Sequence, residues 1–283
     1  MVERPNKVFG LIIHRFEDIF HSFYACEVIR GVTIAASRLK ADVTIHITES
    51  LSSDIWVASL LARPKYLDGI IFADINGQIQ VIKKFANKDI PFLVMNNFVT
   101  GPINCISIDN KSGAISALDY LIELGHKRIA TICGNMSTEA AKKRLEGYKE
   151  ALKRHNLKIE DSLVKNGEFL RTPARLAAEE LLKSKNPPTA IFAASDVMAL
   201  EVLEAAKNLK IKVPEQLSII GFDDNPLSVY SPVPLTTVSQ PLMEMGRLAL
   251  ENLNQVVIKR QKTPVKIILP TRLIKRKSCQ MRT

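Results

Sequence analysis

The chain has 283 residues, more than a single domain of about 150 residues needs, so we expect two lobes. Hydrophobic residues make up 46% and charged residues 24%, which excludes a mainly disordered protein. No apolar run approaches the roughly 18 residues of a membrane span, and residues 1–7 contain no apolar segment of a secretory signal. We therefore expect a cytoplasmic protein with no membrane partner.

The four cysteines lie far apart, at Cys26, Cys105, Cys133 and Cys279, and form no CxxC pair. This spacing argues against a zinc site and against a disulfide scaffold, and it fits a reducing compartment. We expect the cysteines to be small buried apolar residues. The histidines show no metal-ligand spacing either, so we predict no metal and no cofactor.

The net charge of +10 is concentrated near the end of the chain. Residues 252–283 contain nine basic residues and no acidic one: Lys259, Arg260, Lys262, Lys266, Arg272, Lys275, Arg276, Lys277 and Arg282. Such a surface could bind nucleic acid. Because no aromatic residues lie between these charges, a solvated basic edge is the favoured interpretation.

In the first hundred residues, short β-branched runs alternate with amphipathic stretches, which predicts an α/β fold with a parallel sheet. The predicted strands are Val8–Ile13, Val43–Ile47, Gly69–Phe72, Pro91–Met95 and Ile106–Ile108. The predicted helices between them are Tyr24–Lys40, Ile55–Ala62 and Gln78–Ala86.

A second unit of the same kind follows. Its predicted strands are Arg128–Cys133, Leu163–Lys165, Ala190–Ala194 and Leu217–Gly221. Its predicted helices are Lys111–Leu124, Glu139–His155, Pro173–Ser184 and Val197–Leu209. A helix Leu242–Val256 and a strand Val265–Leu269 are predicted to return to the first lobe. The predicted boundaries are residues 6–108 with 242–269, and residues 109–238 with 270–283.

Ligands of open α/β sheets lie outside the carboxyl ends of the strands. Asp223 and Asp224 follow a predicted strand there, and adjacent carboxylates can bind a metal or accept hydrogen bonds from sugar hydroxyls. Acid–base hydrolysis needs two carboxyl groups flanking a bond at about 5 to 10 Å, which neighbours on one strand do not provide. We favour one ligand contact and one structural cap.

Arg144 lies on a helix that begins at the same edge. It is interpreted either as a solvent-exposed or paired residue, or as a clamp for a hydroxyl, carboxylate or phosphate. Tyr24 and Phe169 are candidates for covering the apolar face of a ligand, with ordinary core packing as the alternative. The sequence has no GxSxG, HExxH, Walker or GxGxxG motif, so an enzyme finds no support.

Several segments together resemble the LacI/GalR family of bacterial transcriptional repressors, in matching order and spacing over nearly the whole chain. They are Ile108–Ala114, Leu121–Ala130, Gly134–Tyr148, Pro188–Leu200, Val213–Pro214, Ser218–Asp224, Pro234–Val238 and Leu269–Ile274. The resemblance implies two periplasmic-binding-protein-like lobes (type I), each a doubly wound parallel sheet, joined by three crossings, with a small effector bound between them. It implies a sugar or sugar phosphate first and a nucleobase or nucleoside second.

The resemblance also implies site residues. The ligand contacts would be Tyr24, Asn96, Arg144, Phe169, Ser195, Asp223 and Leu242. Contacts of a homodimer would include Met198, Leu200, Leu203, Leu227 and Tyr230. Two positions depart from the family: Ala140 stands where relatives often have a hydroxyl, and Asn96 replaces a frequent aspartate, so the effector's identity is open.

Family members usually begin with a helix-turn-helix of about 60 residues that reads operator DNA. Here the first core strand is predicted to start at Val8. We therefore expect this chain to be the regulatory core, with operator DNA contacted only through a reader domain that the chain lacks.

The alternative function is an extracytoplasmic sugar-binding protein of a transporter or receptor, which shares the fold. The absence of a signal segment, the Thr236–Thr237 pair and the run Gly221–Asp224 favour the regulator. An enzyme acting at the same site is the third possibility.

Overall fold

A computed structural model describes residues 6–14, 22–49, 54–62, 66–75, 78–86, 90–259 and 263–282. The chain forms two compact units and passes from one to the other three times. The first unit consists of the chain up to Ile108 together with Pro241–Leu269. The second consists of Asp109–Gln240 together with Pro270–Thr283.

The elements up to Ile108 are β1 (Val8–His14), α1 (Phe23–Leu39), β2 (Asp42–Thr48), α2 (Ile55–Ala62), β3 (Gly69–Ala73), α3 (Ile79–Ala86), β4 (Phe92–Met95) and β5 (Cys105–Ile108). Those up to Gln240 are α4 (Asn110–Glu123), β6 (Ile129–Cys133), α5 (Glu139–Arg154), a 3-10 turn (Asp161–Leu163), β7 (Val164–Asn166), α6 (Arg171–Leu182), β8 (Ala190–Ala193), α7 (Asp196–Asn208), β9 (Ser218–Asp223), α8 (Leu227–Tyr230) and β10 (Thr236–Ser239). The last are α9 (Leu242–Lys259), β11 (Lys266–Leu269) and β12 (Arg272–Ile274).

The first unit is built on a sheet in the order β11-β5-β4-β3-β1-β2, in which every neighbouring pair is parallel. Strands β3 and β4 are buried along their whole length, because helices cover both faces of a parallel sheet. Helices α1 and α9 cross closely at Gly31, where an added Cβ would lie 1.9 Å from the carbonyl oxygen of Met243. A glycine is therefore required at this crossing.

The second unit has a sheet in the order β12-β10-β9-β8-β6-β7. All of its pairs are parallel except β10 with β12, so the sheet carries one antiparallel edge strand. One face is covered by α6 and α7 and the other by α4 and α5, each over its own apolar cluster. The predicted α/β class with two doubly wound sheets is confirmed, with that one edge strand as an exception.

The predicted strands and helices all exist, most with ends shifted by a residue or two. Three short elements were not predicted: α8, β10 and β12. They have four, four and three residues, too few for a periodic pattern, and β10 is a Thr-Thr-Val-Ser segment whose first three residues are buried.

Two expectations about single side chains are wrong. Cys105 and Cys133 are buried as predicted, but Cys26 is exposed because its position faces outward on α1, and Cys279 is half-buried. Arg276 does not belong to a solvated basic edge: its guanidinium donates to the Leu235 carbonyl at 2.8 Å and pairs with an acidic side chain described below. Arg260 and Lys262 lie outside the described residues.

No helix within the described ranges is both long and apolar enough to cross a membrane.

Candidate ligand-binding site

The candidate site lies at the carboxyl edge of the second sheet, where loops that follow four of its strands come together. Arg144 belongs to the helix after β6, and Ser195 follows β8. Asp223 ends β9, and Gln240 follows β10. Parallel strands place their carboxyl ends at one edge, so chain segments nearly a hundred residues apart meet here.

Arg144 is the centre of this edge, and only 4% of it is exposed. Its Nε donates to Oδ1 of Asn110 at 2.8 Å, and its Nη1 donates to the carbonyl oxygen of Ala194 at 2.5 Å. The Cζ atom stacks 3.7 Å from the centroid of the Phe222 ring. The interpretation of Arg144 as a solvent-exposed helical arginine is therefore wrong, since hydrogen bonds and a ring hold it on three sides.

The carboxylate of Asp223 lies beside this guanidinium, with 3.7 Å between Oδ1 and Nη1 of Arg144. Oδ1 also accepts a hydrogen bond from Nε2 of Gln240 at 2.5 Å. Burial raises the pKa of Asp223, and the Arg144 guanidinium opposes that rise. The side chain keeps 20% of its surface exposed, so it can still accept a hydrogen bond from a ligand.

Asp224 turns the other way and makes a structural contact. Its Oδ1 lies 2.6 Å from Nη2 of Arg276, whose Nη1 donates to Oγ of Ser228 at 3.1 Å. The two adjacent carboxylates therefore have different partners. This division follows from their position, because residues at the end of a strand point in different directions.

Phe169 flanks Arg144 on the side of β6. The Cζ atom of Arg144 is 5.8 Å from its ring centroid. Phe169 has a φ of 62°, and its ring lies so close to Gly134 that a Cβ there would be 2.0 Å from it. Gly134 is thus required for the position of the ring, which is only partly buried.

Ser195 is buried and serves as the N-cap of α7. Its Oγ accepts a hydrogen bond from the backbone N–H of Met198 at 3.3 Å. The Ser195 hydroxyl therefore stabilises a helix end in this structure, and the ligand contact that the family resemblance implies for it stays a prediction.

The remaining predicted ligand contacts belong to the first unit. Asn96 follows β4, has a φ of 61°, and donates from Nδ2 to Oδ1 of Asp74 at 2.7 Å. The Tyr24 side chain interacts with Asp74 and Asn96, and burial followed by the Asp74 charge raises the pKa of Tyr24. Leu242 is buried in the core of the unit at the start of α9. The assignment of these three residues to a ligand stays a prediction.

Sequence reasoning missed three polar side chains that form hydrogen bonds with the predicted ligand contacts Asn96, Arg144 and Asp223. They are Asp74, Asn110 and Gln240. Asp74 directly follows β3, so the rule on carboxyl strand ends could have found it. Gln240 follows β10, a strand that was not predicted. Asn110 opens α4, and it reaches Arg144 only through the tertiary fold.

The predicted dimer residues have different environments. Met198 is fully buried in the core of its own unit, because it lies on the inward face of α7, so it offers no surface to a partner. Leu200 and Leu203 are half-buried. Leu227 and Tyr230 on α8 are 51% and 85% exposed. Most of the apolar residues of α7 pack inward, against the core of their own unit.

Among the residues that the structure describes, no group of three or more His, Cys, Asp or Glu side chains could hold a metal ion.

Residues 118–279, more than half of the chain, match the family model of a periplasmic binding protein-like domain. The chain is 33% identical to the HTH-type transcriptional regulator DegA of Bacillus subtilis (strain 168) over 265 residues, which cover 92% of this chain and 78% of DegA. It is 34% identical to the HTH-type transcriptional repressor CytR of Escherichia coli (strain K12) over 242 residues, 82% of this chain and 68% of CytR.

Among solved structures, the fold is similar to a transcriptional regulator CelR–cellobiose complex, with a TM-score of 0.88 and 27% identity. The similarity covers 97% of this chain and 86% of that one. DegA, CytR and CelR are all named as transcriptional regulators, and none of the three is named as an enzyme.

Proposed function

We propose that the second unit binds a small hydroxylated effector through Arg144 and Asp223, because this chain belongs to the LacI family of transcriptional regulators. Binding of the effector would control the affinity of the regulator for operator DNA. The proposal places the protein in the cytoplasm, where bacterial operator DNA is found.

One observation carries the choice of effector: a buried guanidinium is held beside a partly exposed carboxylate at the carboxyl edge of the sheet. Arginine presents a rigid fork of donors, and the Asp223 carboxylate accepts hydrogen bonds from hydroxyl groups. The partly exposed ring of Phe169 can cover a C–H face of the ligand. These three groups suit a sugar or sugar phosphate, and the cellobiose bound by CelR supports that class.

We also propose that the chain forms a homodimer in which α8 contributes to the interface. Leu227 and Tyr230 are large, exposed and close together on a single turn of helix, which is unusual for a surface that stays in water. Contact with operator DNA belongs, in this proposal, to a helix-turn-helix and not to the two units described. The expectation that this chain has no such domain stays a prediction.

Calorimetry with cellobiose, ribose, glucose 6-phosphate and adenosine tests the effector class. At least one of the two sugars or the sugar phosphate should bind the wild-type chain. Arg144→Lys should weaken that binding by about 1.5–3 kcal/mol, because an ammonium group cannot reproduce the planar fork. The control is Arg154→Lys on the same helix, where 55% of the arginine side chain is exposed and binding should not change.

Three results would overturn the proposal. Binding of none of the four compounds would contradict the effector class. Binding of adenosine alone would assign the site to nucleosides. Equal affinity of wild type and Arg144→Lys for the best binder would place the effector away from Arg144.

A further inference from the structure

A carboxylate that the proposed function does not use lies behind the candidate site. Asp196, the first residue of α7, is fully buried. Within the described part of the chain it forms no ion pair with a lysine, arginine or histidine. A buried carboxylate is unfavourable unless hydrogen bonds stabilise it, so its contacts reveal what holds it in place.

Asp196 makes contacts with two neighbouring segments. Its Oδ1 accepts a hydrogen bond from the Thr237 hydroxyl of β10 at 2.5 Å. Its Oδ2 accepts from the backbone N–H of Asn225, just after β9, at 2.8 Å. The backbone N–H of Asp196 also lowers the pKa of the Asp223 carboxylate. One residue therefore connects the start of α7 with β10 and with the turn that carries Asp223.

This turn has a backbone conformation that needs support. Asp223 has a φ of 131° and Asp224 a φ of 62°, in the region that side chains with a Cβ rarely adopt. Such a conformation is unfavourable and persists only where the surroundings enforce it. The bond from the Asn225 N–H to Asp196 fixes the residue directly after these two.

The neighbouring strand also makes room for this carboxylate. A Cβ at Gly221 would lie 2.1 Å from Oδ1 of Asp196, so any other residue there would displace the side chain. Gly221 in β9 is therefore required for the position of the Asp196 carboxylate.

We infer that Asp196 is the positioning residue of the effector site: it holds the turn Asp223–Asn225 so that the carboxylate of Asp223 stays beside Arg144. The inference rests on the proposed function for the role of Asp223. Asp196 itself is not a ligand contact, because it is fully buried and both of its oxygens have partners in the protein.

The electrostatics of the pair provide a signature of this role. Burial and the Asp223 charge raise the pKa of Asp196, with a smaller contribution from Asp224. The other charges that face the pair are Arg144 on α5 and Arg276, which neutralises Asp224. Because the Asp223 charge is one cause of this rise, its removal in Asp223→Asn should lower the pKa of Asp196.

The test compares Asp196→Asn with Glu201→Gln in the full chain. Glu201 is also a buried carboxylate of α7, but it pairs with Arg175 and does not touch the turn. Carboxyl NMR without effector should show the Asp196 midpoint at lower pH in Asp223→Asn than in wild type, and unchanged in Glu201→Gln. The Asn225 amide should exchange faster with solvent in Asp196→Asn only.

Asp196→Asn should also bind the best of the four calorimetry compounds about tenfold more weakly, equivalent to about 1.4 kcal/mol. An Asp196 midpoint that Asp223→Asn leaves unchanged, or an Asn225 amide that exchanges no faster in Asp196→Asn, would overturn the inference, whatever happens to the affinity. Faster exchange with unchanged affinity would overturn the positioning role.

If Asp196→Asn does not fold, Thr237→Val tests the same arrangement by removing one hydrogen bond to Asp196. It should raise the midpoint of Asp196, speed exchange of the Asn225 amide and weaken binding of the same compound; no change in any of them would overturn the inference. If wild type binds none of the four compounds, the proposed function fails. The effector-free titration and exchange then decide the inference on their own.

Discussion

The Arg144 guanidinium stacks on the ring of Phe222, with 3.7 Å between its Cζ atom and the ring centroid. Phe222 directly precedes Asp223, so one strand end supplies both the aromatic support and the carboxylate of this arginine. A cation over an aromatic face is attracted by the ring, and the attraction grows when water is excluded. This stacking is thus a testable source of stability.

Phe222→Leu should lower the free energy of unfolding more than Phe192→Leu does. Both rings are fully buried in the same apolar cluster, 6.5 Å apart, but only Phe222 stacks on Arg144. The extra loss should be about 1 kcal/mol, the size of a partly desolvated cation–π contact. Urea denaturation of the two variants measures it, and equal losses would contradict the prediction.

Arg144→Ala should destabilise the fold. An arginine at a solvent-exposed position contributes little to stability. Arg144 is buried instead, and removing it leaves Asn110 and Asp223 without their cation. We expect a loss of about 3 kcal/mol, typical of breaking a buried pair.

Urea denaturation of Arg144→Ala and of Arg154→Ala separates this loss from a general effect of shortening an arginine. Arg154 lies at the exposed end of the same helix, so its variant should stay within about 0.5 kcal/mol of wild type. Similar stabilities of the two variants would show that the contacts of Arg144 do not support the fold.

Tyr230→Asp should convert the proposed homodimer into a monomer without unfolding the chain. Tyr230 is 85% exposed, so a charge there is tolerated in water but is unfavourable in an apolar interface. Light scattering at micromolar concentration measures the mass. Ile159→Asp, at another exposed apolar position of the second unit, should remain a dimer. A monomeric wild-type protein would refute the homodimer itself.

The contribution of His126 to stability should fall as the pH is lowered below about 6.5. Its ring is buried between the hydroxyls of Thr189 and Ser218, at 2.9 Å from each. Burial lowers its pKa, and the charge of Arg282 adds to that effect. As the pH falls, His126 therefore takes up its proton first in the unfolded chain. The stability that is present above the pKa of His126 in the unfolded chain is lost by the time the pH has fallen to its pKa in the folded chain.

Urea midpoints between pH 7.5 and pH 5 test this dependence. Relative to wild type, His126→Gln should gain stability as the pH falls over this range, by at most about 1.4 kcal/mol for each unit of pKa shift. His155→Gln, at a more exposed histidine that pairs with Asp119, should follow the wild-type pH dependence closely. Parallel curves for wild type and His126→Gln would contradict the assignment.

The sequence by itself determined most of the strands and helices along the chain and the sheet edge at which the candidate site lies. Apolar runs and amphipathic stretches are local patterns, and they predict local elements. The rule that ligands lie at the carboxyl ends of strands is also local, so it pointed to Asp223 and to the loop before Arg144 without a structure. Short elements such as α8 and β10 are the exception, since they are too brief to carry a pattern.

Only the tertiary structure decided which of these side chains are buried and what they contact. Arg144 meets Asn110 across 34 positions of sequence, and Asp196 meets Thr237 across 41. The first contact shows that Arg144 is buried at the candidate site and not exposed on its helix. The second showed a role for an aspartate that no motif singled out. Burial and hydrogen-bond partners depend on where distant segments pack, and no window of neighbouring residues contains that information.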